Sequence, residues 1–507
     1  MRRSIWTRGS VQFGLLLLLS AAVFGLRLGD GGLWATEGHR ALPAFAMHES
    51  GDWLVPRLFE QPYLRKPPGI QWLMQAGIEL FGDSPFAARA PVAVCATLMV
   101  LVAWRFGRLW FGPRGGLASG LAMLLMPWVW PAARAAEIET LNNLGTQLAA
   151  MALLHVAVMR GGWRAVLLGG LGIFVCGVAK GPASLAVLGG VVAGSYIAGG
   201  LRWWSAVIGL GVAFALGVVA TAVAFGLTWS AASGLDPVTQ SPGEFLFELE
   251  TLGGILLLPI AAFVASLPAS LALLFPWGPD ARAELTTEKG RPHLRLRLAR
   301  ALAWSWILAL VLSMAAGLSN VRYAMPGVVL LPPLVGYVAW AWPRVLMEKR
   351  RLIARAMVFG HPAVLGACLL AGAVVWIGIY EPSRRATSGE QAGRAMGTAL
   401  AGAISEAARD EIVLAADEAV EARPETLDYA RRVAAREGVM LRFVWTPDGV
   451  SPVDAEFDGV VVRSDPDLDE DPASLINAAD LVEVWSGEVH KFRYRVLIRR
   501  DLIAPDN

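Results

Sequence analysis

The sequence predicts a polytopic α-helical membrane protein of about eleven transmembrane helices, followed by a small soluble α/β domain. Three observations predict it. Hydrophobic residues make up 55% of the 507 and charged residues only 17%, with a mean hydropathy of +0.51; soluble domains carry about 45–50% apolar and about 25% charged residues. The apolar residues also collect in uninterrupted blocks of roughly 16–26 residues between Leu15 and Ile379, the length a helix needs to cross a bilayer. Finally, the composition changes after Tyr380. Beyond it lie 25 of the 42 acidic residues but 15 of the 44 basic ones, a net −10 that the preceding +12 cancels to +2. The near-neutral total therefore hides two oppositely charged parts, and no nucleic-acid partner is expected.

The first apolar block, Val11–Phe24, follows Arg2, Arg3 and Arg8. No small-x-small cleavage site follows it and many spans do, so it reads as a retained helix with a cytoplasmic N-terminus. Further spans are expected near 86–104, 115–131, 141–159, 165–179, 182–200, 204–228, 251–276, 301–317, 325–342 and 358–380. With alternating spans, Arg105, Arg108, Arg114, Arg160, Arg164, Arg202, the basic stretch Arg291–Arg300 and the run Lys349–Arg355 fall on the cytoplasmic side. The outer side, beyond its long first loop, holds only Arg134, Lys180 and Arg322, as the positive-inside rule requires. That bias survives only if 165–200 crosses twice, as two short helices. An odd number of spans places the C-terminal domain outside. The expected organisation is a transmembrane domain over 1–380 with its first outer loop at 25–85, a polar linker at 381–391, and a soluble extracytoplasmic α/β domain over 392–507. In the last, helices are expected near 392–409, 425–437 and 473–479, and strands at Glu411–Ala415, Met440–Trp445, Gly459–Val462 and Phe492–Ile498. None of those helices opens on a Gly-rich phosphate loop, so no chemistry is assigned there. Cys95, Cys176 and Cys368 lie inside apolar blocks and read as small buried hydrophobes.

Two features of the outer face carry functional expectations. The loop 25–85 is long for a compact membrane protein, and such loops are commonly functional. Within it, Thr36–His48 and Gly69–Phe81 are spaced as amphipathic juxtamembrane helices. Lysine is the second feature: of five in the chain, Lys66 and Lys180 fall at outer turns, before Pro67-Pro68 and Gly181-Pro182. A lone lysine at a helix end ordinarily snorkels to the headgroups. Two on the less basic side suit a phosphate at the membrane surface.

At these residues the chain resembles a known family. Glu37, then Ser50-Gly51-Asp52-Trp53, then Pro62-Tyr63 and Lys66-Pro67-Pro68 is similar to the first outer loop of the GT-C polyprenyl-phosphate-sugar transferases, on the branch of the protein O-mannosyltransferases and the lipid A aminoarabinose transferase. That branch reads Asp-Glu-x-Arg-Tyr, Ser-Gly-Asp-Trp and Pro-Tyr-x-x-Lys-Pro-Pro. Arg134 with Glu137 and Glu139, then Lys180-Gly181-Pro182, then Arg322-Tyr323 with Pro326, follow in the family's order. There are departures: Thr36 stands where the family has its first aspartate, His39 where it has arginine, and Arg65 where the aminoarabinose transferase carries an acid. The resemblance implies a GT-C-like fold and a membrane glycosyltransferase. Its sugar would come from a polyprenyl-phosphate donor and pass, with inversion, to a lipid, glycan or protein hydroxyl on the extracytoplasmic face. The base role falls on Glu37 or Glu139. Lys66, Lys180, Arg322 and Arg134 are expected to hold the donor phosphate, with Glu137, His39, Arg65, Tyr63 and Tyr323 in support.

The chemistry asks for the same set: a carboxylate to take the acceptor's proton, cations to stabilise the departing phosphate, and an apolar groove for the isoprenoid tail. Each residue also has a plainer reading. Glu37 and Glu139 suit helix starts, Glu137 can pair with Arg134, and Arg40, Arg57 and Arg65 read as surface charges. His39 and His48 lack a third close ligand, so no cofactor or catalytic metal is expected. Asp236, Glu244 and Glu248, in the outer loop 229–250, would cap the site. Competing classes are a transporter or flippase, which would put its charges in mid-membrane, and a non-catalytic polyprenyl-phosphate-binding relative, which Thr36 suggests.

Overall fold

The computed structural model describes residues 7–199, 204–232, 252–266, 269–270, 272–273, 294–316, 321–345, 371–372, 377, 389–404, 411–416, 424–445, 457–464, 481–489 and 492–504. Most of the expected span 358–380 lies outside them, as do Asp236, Glu244, Glu248, the run Lys349–Arg355 and the helix expected near 473–479. The membrane part contains α1 (Gly9–Gly25), α2 (Gly38–Ser50), α3 (Gly69–Phe81), α4 (Pro85–Leu124), α5 (Val129–Ala133), α6 (Ile138–Met159), α7 (Trp163–Lys180), α8 (Leu185–Ile197), α9 (Trp204–Ala232), α10 (Leu252–Ala265), α11 (Leu294–Ala315), α12 (Val321–Val328) and α13 (Leu331–Val345). Among the described residues, α4, α6, α7, α9, α11 and the stretch Arg322–Ala341 are long and apolar enough to cross a membrane, while α1 and α8 are shorter apolar helices.

The expected span near 115–131 is the second arm of α4 only as far as Leu124, with residues 129–131 falling in α5; that near 86–104 is the first arm of α4. The helix starts at Ser84, whose side chain accepts from the Ala87 amide (3.2 Å), with Pro85 in the first position where its missing N–H costs nothing. Gly112 breaks it at φ 80°, ahead of Pro113. The arms then fold back on one another. A Cβ at Gly116 would lie 2.6 Å from the Cβ of Arg108, and one at Gly107 would strike the Ser119 side chain. Glycine allows this approach because nothing projects from its backbone. Gly116→Val is expected to push the arms apart and cost about 1–3 kcal/mol, which would be read as a lower melting temperature of the purified protein.

The doubtful stretch 165–200 also makes two helices. α7 ends at Gly181 (φ 65°), residues 181–184 form a 3-10 turn, and α8 follows. α7 packs on α6, where Gly172 meets the Ala149 backbone, whereas α8 packs on α11, where Gly190 and Gly194 meet the backbone of Ser305 and its neighbours. At the far end of α8, the Arg297 side chain donates to the carbonyls of Ala198 and Gly199, and Arg295 donates to the Trp110 carbonyl (2.9 Å) beside the α4 turn. Arginines thus gather at one end of the bundle, and Glu139 and Lys180 meet at the other. α9 leaves Ile208, Val219, Val223 and Leu227 exposed, a face suited to lipid.

The C-terminal domain contains α14 (Gly389–Ala403), β3 (Ile412–Ala416), α15 (Pro424–Arg436), β4 (Leu441–Trp445), β5 (Gly459–Ser464), β6 (Leu481–Val489) and β7 (Phe492–Arg499). Its sheet runs β4-β3-β5-β7-β6, parallel across β4-β3-β5 and antiparallel thereafter. The strand β6 was not expected. A register shift between Glu483 and Trp485 interrupts its alternation, the signal by which strands are read. The domain docks on the first loop through α15. Arg432 pairs with Asp83 (2.7 Å), its guanidinium lies 5.8 Å from the Phe45 ring centroid, and the Leu33 amide donates to the Tyr429 hydroxyl (2.8 Å).

Candidate active site

Two short hairpin strands and the starts of α2, α6 and α12 bring the motif residues to one end of the bundle. Thr36 and Glu37 lie in a 3-10 turn before α2. Glu37 is 1% exposed, and both of its oxygens are taken. Oε1 accepts from Arg89 Nε (2.8 Å) and the Ala136 amide (2.7 Å), and Oε2 accepts from Arg89 Nη2 (2.7 Å) and the Trp34 amide (3.0 Å). Arg89, wholly buried near the start of α4, also donates to the carbonyls of Leu28, Asp30, Gly31 and Gly32. A two-point guanidinium–carboxylate pair with every remaining donor satisfied is the arrangement that tolerates burial. Glu37 is held as a structural anion, with no oxygen turned to an acceptor hydroxyl. The Ala136 amide it binds immediately precedes Glu137, and its neighbour Thr36 donates its hydroxyl to Glu137 Oε1. The buried pair is thus the footing of the next carboxylate.

Glu137 stands at the position just before α6, makes no side-chain capping bond to the helix, and is half-buried. Burial and the nearby charge of Glu139 push its carboxyl up to about 7, against the pull of Arg40 and the Thr36 hydroxyl. Glu139, in the first turn of α6, accepts from Lys180 Nζ at 3.0 Å, with the lysine 8% exposed. Lys180 Nζ also sits 5.2 Å from the centroid of Tyr323, and Arg322 Cζ sits 5.1 Å from the same ring, while Arg322 Nη2 donates to its hydroxyl (3.2 Å). One aromatic ring therefore orders two cations.

Lys66 approaches from the first loop. The strands β1 (Arg57–Leu58) and β2 (Gln61–Pro62) pair antiparallel across Phe59-Glu60, and the chain then runs through Tyr63 to Lys66. Both turn residues have positive φ, 46° and 70°, as a two-residue hairpin turn requires. Neither is glycine or asparagine, so each costs about 1–2 kcal/mol. Tyr63 is buried, its amide donates to the Pro56 carbonyl (2.7 Å), and its hydroxyl lies 3.4 Å from Arg40 Nη1. Burial first, then the charges of Arg40, Lys180 and Arg322, bring the Lys66 ammonium down to about 8, with Glu139 opposing. Arg40, Lys66, Lys180 and Arg322 thus share one field with Glu137 and Glu139.

Of the residues singled out from sequence, Glu137, Glu139, Lys66, Lys180, Arg322, Tyr63 and Tyr323 come together here. His39 is buried on α2 with its ring centroid 6.3 Å from that of Tyr63, and Arg65 is half-buried on the same loop. Arg134 requires correction as a phosphate ligand. It is 1% exposed and donates to the Val23 and Phe24 carbonyls (3.1 and 3.2 Å), closing the last turn of α1. Two residues escaped the sequence reading. Arg40, read as a surface charge, faces Lys66; Arg89 signals itself as an arginine inside an apolar span, which demands a buried carboxylate partner. Among the described residues no group of three His, Cys, Asp or Glu side chains is placed to hold a metal ion.

Residues 65–225 match the Dolichyl-phosphate-mannose-protein mannosyltransferase family. An undecaprenyl phosphate-alpha-4-amino-4-deoxy-L-arabinose arabinosyl transferase of Pseudomonas savastanoi pv. phaseolicola is 32% identical over 143 residues, 28% of this chain and 27% of that protein. The enzyme of the same description from Edwardsiella ictaluri is 41% identical over 80 residues, 15% of this chain and 14% of that protein. The sequence match thus spans about a quarter or less of these relatives' length. The structural likeness is far broader. The crystal structure of ArnT from Cupriavidus metallidurans bound to undecaprenyl phosphate superposes with a TM-score of 0.69 at 18% identity, covering 98% of this chain and 100% of that one. Its apo form gives 0.67 at 20% identity, covering 98% and 99%. The superposition along nearly the whole chain shows that this protein has the GT-C fold seen in ArnT.

Proposed function

We propose that the protein is a membrane glycosyltransferase that moves a sugar from a polyprenyl-phosphate donor to a hydroxyl of a lipid, glycan or protein. One observation carries the reading: among the described residues, four cations, Arg40, Lys66, Lys180 and Arg322, gather around two carboxylates, Glu137 and Glu139, while Glu37 is taken up by Arg89. Such an excess is stable once an anion of about two charges lies among them, and a sugar's phosphate leaving group is that anion. Glu137 is the base. It takes the proton of the acceptor hydroxyl, whose oxygen attacks the anomeric carbon. The carbon–oxygen bond to phosphate breaks, its electron pair leaves with the polyprenyl phosphate, and the anomeric centre inverts. Lys66 and Arg322 bind the phosphate, and Glu139 and Tyr323 hold Lys180 toward it. Glu37, with Arg89, anchors Glu137 and Thr36.

The arginines at the opposite end of the bundle support a cytoplasmic placement of that end, so that the site and the C-terminal domain face outward. The charges collect at helix ends on one side, which suits chemistry on a membrane-held substrate better than passage through the bilayer. The relatives' donor, undecaprenyl phosphate-alpha-4-amino-4-deoxy-L-arabinose, is the first to offer.

The pH dependence follows from the two shifted groups. Glu137 must be ionised to act as a base, so activity rises as pH passes about 7; Lys66 must be protonated to hold phosphate, so activity falls as pH passes about 8. Transfer to a defined acceptor, measured from pH 5 to 10, is expected to give a narrow bell. Lys66→Arg, which stays charged, removes the alkaline limb. A flat profile would overturn the assignment of both groups, and absence of transfer from every polyprenyl-phosphate sugar would overturn the function.

A further inference from the structure

We propose that the C-terminal domain sets the donor-phosphate loop: Arg442 and Phe443 of β4 grip the turn Phe59-Glu60 and thereby place Lys66. The inference rests on the reading of Lys66 as a phosphate ligand. Glu60 receives a two-point contact, Arg442 Nε to Oε1 and Nη2 to Oε2, both at 2.7 Å. Its neighbour Phe59 meets Phe443 edge-on, with ring centroids 6.0 Å apart at 68°. Two consecutive loop residues are thus held by two consecutive strand residues, and those loop residues are the pair with positive φ. A turn of ordinary side chains in the left-handed region persists only where its surroundings impose it. Here one end of the constraint belongs to another domain.

The consequence reaches the site through a short path. The turn fixes the register of β1 and β2, the Tyr63 amide ties the end of β2 back to Pro56, and Lys66 follows three residues later. Arg442 and Glu60 are exposed, 42% and 54%, so their pair adds little to overall stability. What it contributes is a choice between turn conformations. The remaining docking contacts, Arg432 with Asp83 and Tyr429 with Leu33, do not depend on it and keep the domain attached.

The test uses the full-length protein in lipid nanodiscs, titrated with undecaprenyl phosphate. Arg442→Ala is expected to weaken binding by up to about fivefold, or about 1 kcal/mol, the most that an exposed pair contributes, with the melting temperature held. Adding Glu60→Gly should recover most of the loss, because glycine takes a positive φ without a Cβ clash. A merely structural loss would not be rescued by removing the contact's other partner. Unchanged affinity in Arg442→Ala, or no recovery with Glu60→Gly, overturns the proposal. Lys66→Ala runs alongside: if it binds as tightly as the parent, the phosphate reading itself is wrong and the inference falls with it. Where Arg442→Ala does not accumulate, Glu60→Gln weakens the same pair from the loop side, and a loss of affinity in the same direction is expected; unchanged affinity there overturns the grip.

Discussion

Glu137→Gln is expected to lower kcat by about 10²–10⁴-fold, the usual worth of a positioned general base, while undecaprenyl-phosphate affinity stays near the parent's. The amide is nearly isosteric and its carbonyl oxygen still accepts from Thr36, so the footing built by Glu37 and Arg89 is undisturbed. Only the capacity to take a proton is lost. Glu139→Gln should behave differently. It removes the carboxylate that holds Lys180 at 3.0 Å, so its effect falls mainly on the donor's KM. The split between the two variants locates the base. If Glu139→Gln stops turnover while Glu137→Gln retains it, the base is Glu139.

The second large effect concerns stability. Glu37→Gln leaves Arg89 charged and wholly buried, an error that costs about 3–5 kcal/mol. A domain's entire margin is about 5–15 kcal/mol, so a melting temperature far below the parent's, or failure to accumulate, is expected. Arg89→Met should be at least as damaging. It strands the same carboxylate and also removes the buried donors to the carbonyls of Leu28 and Gly32. A Glu37→Gln protein with unchanged melting temperature and no transfer would instead return the base role to Glu37.

Glu37 shows what a motif conceals. Its position in the loop, beside Thr36, invites a catalytic reading, because residue type and spacing speak only of which groups come near the site. Whether a carboxylate meets substrate or a buried guanidinium depends on Arg89, which lies 52 residues away along the chain. Arg134 fails as a phosphate ligand for the same reason: two carbonyls of α1, more than a hundred residues earlier, claim it. Lys66, Lys180 and Arg322, by contrast, stand in the long first loop or at the ends of apolar helices, positions that hydropathy by itself marks.

Hydropathy acts locally and at every residue, so the sequence alone determined the membrane class, the two arms of α4 (the second as far as Leu124), the pair of short helices in 165–200, and the alternation of strand and helix beyond Tyr380. The break at Gly112-Pro113 and the turn at Gly181 are local as well. Tertiary structure decided what depends on partners distant in the chain: that Glu37 is locked by Arg89 while Glu137 is not, that Tyr323 orders two cations, and that β4 reaches back to the turn at Phe59-Glu60. An apolar run states its own environment. A charged side chain acquires its role only from the opposite charge that folding brings against it.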